Sequence, residues 1–199
     1  MQSRICILGK TRLVALLLMA IALAGCPENP GGGGGEGEGE GEGDGIAAME
    51  IETLDLINGE RVAADVDPLT MDADLRAVAR AHSEDMVARE FFAHDNPDGE
   101  SPFDRIHAAG IEYSRAGENI AWNSFPNPVE TAVDGWMNST GHRNNILNGD
   151  FTLTGMGVAG NDSVGYYFTQ VFTRPLEKGE VKVLVTGFET LPPPLAVNP

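Results

Sequence analysis

Three side chains capable of acid–base or metal chemistry lie at regular intervals along the chain. They are His94, Glu118 and His142, each 24 positions from the next. One helix or one tight loop cannot join residues so far apart, so only tertiary folding could bring them together. Two neutral imidazoles and a carboxylate are a good ligand set for zinc, with a fourth position open to a water that can act as a nucleophile. We therefore predict that the three side chains meet in one cleft.

The same residues have other interpretations. A histidine–glutamate pair can do general acid–base work, but no hydroxyl or thiol is placed as an obvious nucleophile, and Ser139 and Ser83 are only candidates. Glu118 could instead satisfy backbone donors or Arg115 and so fix the fold. His142 could simply cap a helix. Binding, catalysis and a structural role are therefore all open for this cleft.

Other polar residues are weaker candidates for the same site. His82 lies on or beside the apolar stripe of a predicted helix, where a histidine either hydrogen-bonds within the core or lines a cleft. Asn119 and Asn145 are more typical of amides that lock the backbone than of ligands. His107 is predicted to face solvent. We retain His82, Asn119 and Ser139 as candidate ligand-binding residues beside the three principal ones.

Composition limits the classes of partner. A length of 199 residues with 42% hydrophobic content allows one ordinary domain with a proper core. The formal net charge of −17 argues against nucleic acid and against electrostatic attraction to an anionic membrane surface. Only Cys6 and Cys26 are cysteines, and Cys6 lies in a predicted targeting segment, so no internal disulfide is expected. We expect a monomer that requires no cofactor, apart from the zinc or other divalent metal considered above.

The N-terminus has the pattern of a targeting segment. A basic start precedes an unbroken apolar run at residues 13–24, which is too short to span a bilayer. The following Leu23-Ala24-Gly25-Cys26 resembles the lipobox of bacterial lipoproteins, which implies cleavage before Cys26 and acylation of that residue. An ordinary signal peptide with a stray cysteine is the alternative. We predict a signal peptide at residues 1–25 and an extracytoplasmic protein held by its acyl chains at the outer membrane or cell surface.

Glycine and glutamate make up most of residues 26–46 after the cysteine. Glycine maximises backbone entropy and the like charges repel one another, so a disordered tether is expected. Its root-mean-square span would be on the order of 25 Å. An acidic tail that collects metal ions is the alternative, but isolated solvated carboxylates lack the convergence of selective metal sites.

The spacing of apolar residues predicts four helices. Three- and four-residue intervals indicate helices over residues 48–63 and 72–89, a short helix over 103–109, and one that begins at Asn127-Pro128. We expect the last helix to stop at Gly141. His142 and Arg143 would then emerge just past a helix end, where the helix dipole favours cations.

The period changes to two in the C-terminal third. Residues 152–159 and 164–173 predict an antiparallel hairpin with its turn at 160–163, and a short strand is expected near 117–122. The folded domain is expected over 47–176. Residues 177–199 would add one strand at 181–186 and a loose proline-rich tail at 191–199. This order is typical of an α+β fold, and no glycine-rich phosphate loop, Cys-x-x-Cys pair or Gly-x-Ser-x-Gly elbow occurs.

Four motifs carry a resemblance to a known family. They are FAHD at residues 92–95, GENIA at 117–121, GWMNSTGHRNNIL at 135–147 and YFTQVF at 167–172. In this order they resemble the CAP superfamily of cysteine-rich secretory proteins, antigen 5 and pathogenesis-related 1 proteins, above all its bacterial extracytoplasmic SCP-domain branch. The likeness covers about residues 50–174. It implies a three-layer α-β-α sandwich with a central, mostly antiparallel sheet and one open cleft.

The resemblance also implies roles for individual residues. His94 and Glu118 would correspond to the first histidine and first glutamate of the family's cleft tetrad. The chain departs from the eukaryotic pattern at the other two members, with Ser139 in place of the second glutamate and Tyr166 or Tyr167 in place of the second histidine. His142 resembles the histidine of the bacterial pattern instead.

Three functional classes follow from the residues and the resemblance together. We favour a non-catalytic module that binds a small ligand, lipid or peptide at the cell envelope, as lipid and sterol binding in the family implies. A hydrolase or peptidase that uses the same cleft is the first alternative. A structural or signalling interaction domain is the second.

Overall fold

The computed structural model of the chain describes residues 42–177, 193 and 195–197. Its helices and strands follow in the order α1 (Glu42–Ala63), β1 (Thr70–Met71), α2 (Ala73–Ala88), α3 (Pro102–Ala108), β2 (Tyr113–Asn123), α4 (Pro128–Asn138), α5 (Thr140–Ile146), β3 (Leu153–Asn161), β4 (Gly165–Pro175) and β5 (Leu195–Val197). Among these described residues, no helix is both long and apolar enough to cross a bilayer.

The five strands form one sheet in the order β1-β3-β4-β2-β5. β4 pairs antiparallel with β3 on one side and with β2 on the other, while the two short edge strands β1 and β5 pair parallel to β3 and β2. The predicted hairpin is present, since β3 and β4 are joined by a turn in which the Asn161 side chain accepts from the backbone N–H groups of Ser163 and Val164. The sheet is thus mostly antiparallel, as predicted.

Helices cover both faces of the sheet, because neighbouring residues of a strand point to opposite sides. Phe172 of β4 belongs to a core cluster with residues of α1, α4 and α5, whereas its neighbour Val171 belongs to a cluster with residues of α2 and α3. Trp136, Phe151 and Phe168 are fully buried in the first cluster. The two clusters make the central sheet the middle layer of a three-layer α-β-α sandwich, which confirms the predicted fold class.

α2 lies unusually close to β3. A Cβ atom at Gly155 would overlap the backbone carbonyl of Leu75, and one at Gly157 would overlap the amide nitrogen of Arg80. Only residues without a side chain permit this approach, so the two glycines set the distance between helix and sheet. The Ser83 hydroxyl then reaches the carbonyl of Gly157 at 3.1 Å.

Two buried charged residues of α1 fix the helices around the sheet. Glu50 is fully buried and accepts hydrogen bonds from Arg76 at 2.7 Å and Arg80 at 2.6 Å, which ties α1 to α2. Arg61 is 1% exposed and donates to the carbonyl oxygens of Ile146 at 2.6 Å and Phe151 at 3.0 Å. Because Ile146 ends α5, this arginine helps to place the helix that carries His142.

Several predicted element boundaries are close to the observed ones. Asp72 caps α2 with its side chain, and Ser101 forms a reciprocal capping box with Asp104 at the start of α3. The strand expected near residues 117–122 is longer, at Tyr113–Asn123. The two-residue strand β1 was not predicted, because two residues are too few to show a period.

Three predictions are wrong. The tether was expected to lack regular structure through residue 46, but α1 begins at Glu42. Once a helix exists, each added residue fixes only one more set of backbone angles and gains one hydrogen bond, so extension costs little free energy. The tail at 191–199 was expected to be loose, but Leu195–Val197 forms β5. Gly141 does not end a helix, because α4 ends at Asn138 and Gly141 lies inside α5.

Ser139 causes the break between α4 and α5. Its backbone is extended, with φ −97° and ψ 123°, and it is both the C-cap residue of α4 and the N-cap residue of α5. His142 therefore lies in the first turn of a helix rather than beyond the end of one. The strand predicted at 181–186, most of the tether and the signal peptide lie outside the described residues.

Candidate functional site

Glu118 is the centre of the candidate site. β2 carries it on the face that packs against α2 and α3, and its side chain is 0% exposed. Oε1 lies 2.7 Å from Nδ1 of His94, and Oε2 accepts from Nη2 of Arg105 at 2.9 Å. A buried carboxylate is stable only when it is paired and hydrogen-bonded, and these two partners provide that. The predicted meeting of His94 and Glu118 is thus present in the structure.

Arg105 of α3 is the residue that the sequence analysis missed. Besides Glu118, its guanidinium donates to the carbonyl oxygens of His94 at 2.9 Å and Glu100 at 3.0 Å. One cation therefore holds both the carboxylate and the backbone of its histidine partner. The alternative that Glu118 pairs with Arg115 is wrong, since Arg115 pairs with Asp150 at 2.7 Å.

A signal for Arg105 was present in the sequence. A buried glutamate needs a cation, and Arg105 lies on the short helix over 103–109 between Phe103 and Ile106, whose three-residue spacing favours inward packing. Its stem could therefore follow the buried face of that helix. Sequence spacing alone does not show which of several arginines reaches the carboxylate.

His82 lies behind the His94–Glu118 pair. α2 carries it, it is 1% exposed, and its Nε2 lies 3.0 Å from the carbonyl oxygen of Ala93, the residue before His94. Nε2 must carry the proton to donate there, so Nδ1 is the acceptor nitrogen, and it is buried with no hydrogen-bond partner in the described part of the chain. Burial lowers the pKa of His82, and Arg105 and His94 lower it further while Glu118 opposes them.

His142 approaches from the other layer of the sandwich. It is 1% exposed, and its Nδ1 lies 2.7 Å from the hydroxyl oxygen of Ser139. Burial lowers its pKa to about 4, with a further contribution from His94, while the carbonyl of Pro193 acts weakly in the opposite direction. Nε2 is buried and has no hydrogen-bond partner among the described residues. His142 is therefore a neutral imidazole near pH 7.

The side-chain amides of two asparagines connect α5 to β2. Asn145 donates to the Glu118 carbonyl oxygen at 3.3 Å and to Oδ1 of Asn119 at 2.9 Å, and Asn119 donates to the carbonyl oxygen of His142 at 3.2 Å. Both amides are 0–1% exposed. They act on the backbone, as expected for Asn119 and Asn145, and they fix His142 relative to the strand that carries Glu118.

The site therefore straddles one strand. Glu118 and Asn119 are neighbours on β2 and point to opposite faces of the sheet. His94, Arg105 and His82 cluster on the Glu118 side, and His142 with Ser139 lies on the Asn119 side. His94 contributes to the lowered pKa of His142, but the hydrogen bond of the His142 ring is to Ser139 and not to Glu118.

The remaining candidates have other roles. Ser83 is fully buried and donates to Thr169 Oγ1 at 2.8 Å, so it joins α2 to the sheet. His107 is exposed, as predicted, and stacks on Tyr113 with ring centroids 5.1 Å apart. Tyr167 packs edge-on against Phe92, while the Tyr166 hydroxyl donates to Asp162 at 2.9 Å.

The predicted zinc ligands do not form a ready metal site. Glu118 has both oxygens engaged, one by Arg105 and one by His94, and would have to release a partner to bind a cation. Within the described ranges, no group of three or more histidine, cysteine, aspartate or glutamate side chains is arranged to hold a metal ion. Zinc bound by His94, Glu118 and His142 together therefore does not fit this geometry.

Two curated relatives share the central part of the chain. The uncharacterized protein YkwD of Bacillus subtilis (strain 168) is 42% identical over 127 residues, which cover 64% of this chain and 48% of that protein. The uncharacterized membrane protein YlbC of the same organism is 39% identical over 125 residues, which cover 63% of this chain and 34% of that protein. The chain thus spans about half or less of the length of these relatives.

Solved structures share the fold. An extracellular protein containing a SCP domain from Bacillus anthracis superposes with a TM-score of 0.57 at 35% identity, covering 65% of this chain and 41% of that one. An outer surface protein of Borrelia burgdorferi has a TM-score of 0.59 at 19% identity, covering 65% of this chain and 94% of that one, and shows the fold alone. The model of the cysteine-rich secretory protein family, CAP, matches residues 54–172. Because this match includes most of the described residues and more than half of the chain, the protein belongs to the CAP family of cysteine-rich secretory proteins.

Proposed function

We propose that this protein is a lipid-anchored, extracytoplasmic module that binds a small ligand, lipid or peptide in a cleft at the edge of β2, with the His94–Glu118 pair on one side of the strand and His142 on the other, and that it acts as a monomer. The observation that carries the proposal is the pairing of buried Glu118 with both Arg105 and His94. This pairing fixes the His94 ring, whose side chain is 10% exposed, at the margin of the core. A few precisely placed polar side chains that orient the ligand are typical of binding sites, and His94 would be one of them.

The location outside the cytoplasm has two supports. The structurally similar proteins of Bacillus anthracis and Borrelia burgdorferi are described as an extracellular protein and an outer surface protein. The segment before the domain resembles a lipoprotein signal ending at Cys26. Anchoring by acyl chains would keep the domain at the envelope, where its acidic surface favours uncharged or basic ligands over acidic ones.

Binding is favoured over catalysis by the way the polar groups are paired. In a nucleophile–base–acid arrangement, the base that activates a nucleophile is itself oriented by the acid. Here the acid Glu118 orients His94, whereas the hydroxyl of Ser139 is paired with a different ring, His142. The two pairs lie on opposite sides of β2. A nucleophile, a base and an acid are therefore all present, but they are not connected in one hydrogen-bonded chain.

Capture experiments on immobilised protein test the proposal. We would present vesicles of phosphatidylglycerol and phosphatidylethanolamine, and separately a synthetic octapeptide library, to the wild type, to His94→Ala and to His107→Ala, which changes an exposed histidine. Bound material is identified by mass spectrometry. We expect His94→Ala to lower capture about threefold to tenfold, because a typical hydrogen bond contributes about 0.5–1.5 kcal/mol. Equal capture by all three proteins would refute the proposed site.

A hydrolase is the second candidate, and the Ser139–His142 pair is the observation that favours it. The oxygen and Nδ1 lie 2.7 Å apart, and a neutral imidazole can accept a proton from the hydroxyl. Turnover of the same peptide library that is abolished by Ser139→Ala, but not by Ser163→Ala in the exposed hairpin turn, would support it. Absence of turnover in the wild type, with ligand still captured, would leave binding as the function.

Metal binding is a separate part of the proposal. A divalent ion in the cleft would need a different set of ligands from the three predicted ones, because Glu118 is occupied. Calorimetric titration of zinc into wild type and His94→Ala tests this. Saturable uptake of zinc that His94→Ala removes would support a metal ion in the cleft. No uptake by the wild type would refute zinc binding there.

A further inference from the structure

The edge of the sheet beside the candidate site is filled by the chain's own C-terminal region. β5 pairs parallel with β2, with Leu195 opposite Ala121 and Val197 opposite Asn123. The Leu195 side chain packs against the core cluster on the α4 face, whereas Ala196 is exposed. Leu195 and a short run of backbone pairing thus help to hold this strand in place.

The segment that precedes β5 passes the site. Pro193 is two residues before Leu195, so an extension of the same register places it beside Asn119, the neighbour of Glu118. The Pro193 carbonyl also contributes to the pKa of His142, opposing the larger effect of burial, which agrees with this placement. Pro193 and Leu195–Val197 are therefore placed along the part of the β2 edge that carries the candidate site.

We propose that this edge of β2 is a groove for an extended, uncharged peptide, and that Pro193 and Leu195–Val197 occupy it as an internal ligand. The peptide would carry a proline and, two residues later, a bulky aliphatic anchor, as Pro193 and Leu195 do. Addition of a strand to a sheet edge is a common mode of peptide recognition, in which backbone pairing supplies affinity and side-chain pockets supply specificity. This inference rests on the proposed function, because it names the ligand class of the same cleft.

The internal strand has the properties of a displaceable occupant. It makes three register pairs with β2, whereas β4 makes ten on the other side of the same strand. Parallel pairing is slightly weaker per residue than antiparallel pairing. Proline has no N–H to donate, so the proline-rich sequence before Leu195 limits backbone pairing in that direction. A peptide of the same pattern could therefore compete for the edge.

Peptide binding to the full chain tests this inference. The probe is a fluorescein-labelled peptide with the sequence of residues 191–199, LPPPLAVNP, measured by fluorescence anisotropy. Leu195→Asp should release the internal strand, and Val62→Asp, at a position 59% exposed on α1, is the matched control. If the internal strand fills the groove nine-tenths of the time, its release raises the apparent affinity about tenfold. We expect this gain for Leu195→Asp and no gain for Val62→Asp.

Three results would overturn the inference. One is equal affinity of the peptide for the wild type and for Leu195→Asp. Another is no binding to Leu195→Asp when its thermal unfolding matches that of the wild type. A third is a wild-type dimer, by light scattering, that Leu195→Asp converts to a monomer, because the segment would then dock on a second copy.

A second measurement serves if Leu195→Asp does not fold. The chain has four histidines, so the ring signals of the wild type can be followed by NMR and His142 assigned with His142→Gln. Saturating peptide should shift the His142 signal and leave the His107 signal unchanged. No shift of His142 at saturation would refute the location. Peptide binding that is unchanged in His94→Ala would support the groove and refute the proposed site at His94. Capture of vesicles or library peptides that depends on His94, without binding of the labelled peptide, would support the site and refute the groove.

Discussion

Arg105 and Glu118 form an ion pair over 2.9 Å in which the arginine side chain is 11% exposed and the glutamate side chain is 0% exposed. α3 carries the arginine and β2 carries the glutamate, so the pair fixes a helix to the sheet at the candidate site. The same guanidinium holds the backbone of His94. Structure and site therefore depend on one interaction.

Removal of the cation should destabilise the fold strongly. We expect Arg105→Met to lower the free energy of unfolding by about 3–5 kcal/mol, because it leaves a buried carboxylate without its charged partner. Urea unfolding followed by tryptophan fluorescence measures this. Arg89→Met removes an exposed arginine that pairs with Asp85 and Asp98, and it should have a much smaller effect. Similar losses for both variants would contradict the importance given to Arg105.

Two glycine-to-alanine changes should have opposite effects on stability, because Gly157 lies at the close contact of β3 with α2 and Gly59 has open space around it. Gly157→Ala should destabilise by about 1–3 kcal/mol or more, because its Cβ would overlap the backbone of α2. Gly59→Ala places a methyl group in open space inside α1 and should stabilise by about 0.5–1 kcal/mol. Thermal and urea unfolding of both variants check the signs. A neutral Gly157→Ala would mean that helix and sheet can separate freely.

The His142 ring predicts a loss of stability in mild acid. Burial lowers its pKa to about 4 from an ordinary value of 6.5. Between these values the unfolded chain binds more protons than the folded one, so the free energy of unfolding falls as the pH falls from 6.5 to 4. The full effect is at most on the order of 3 kcal/mol, since one pKa unit corresponds to about 1.4 kcal/mol. Above pH 6.5 this contribution is fully present.

Urea unfolding at pH 7 and pH 4.5 measures this slope. His142→Gln should lose less stability than the wild type between the two pH values, because the variant lacks the imidazole whose pKa is lowered by folding. His107→Gln, which changes an exposed ring on α3, should lose as much as the wild type. Parallel pH dependence for wild type and His142→Gln would show that this ring does not contribute.

The lipobox resemblance predicts acylation at one of the two cysteines. Metabolic labelling with an alkyne fatty acid should mark the wild type and Cys6→Ser but not Cys26→Ser. Cys26→Ser should also leave the membrane fraction, since several acyl chains are needed for stable anchoring. Label that remains on Cys26→Ser, or membrane retention without label, would contradict the proposed anchor.

Local sequence patterns determined the elements of the fold. Asp72 and Ser101-Pro102 mark helix starts, and the two-residue period around residues 160–163 marks a hairpin, because caps, turns and periodicity depend on a few neighbouring residues. The four motifs determined the family. Ser139 was harder to interpret, since a single extended residue between two helices leaves no periodic signal.

Only the tertiary structure decided how the chemical groups are paired. The sequence suggested that His94, Glu118 and His142 meet, but not that Arg105 would occupy Glu118 or that His142 would pair with Ser139 across the strand. Nor does the sequence indicate that Leu195–Val197 pairs with the edge of β2. Such contacts join residues far apart in the chain, and their choice depends on which buried charge must be neutralised and which sheet edge is left to cover.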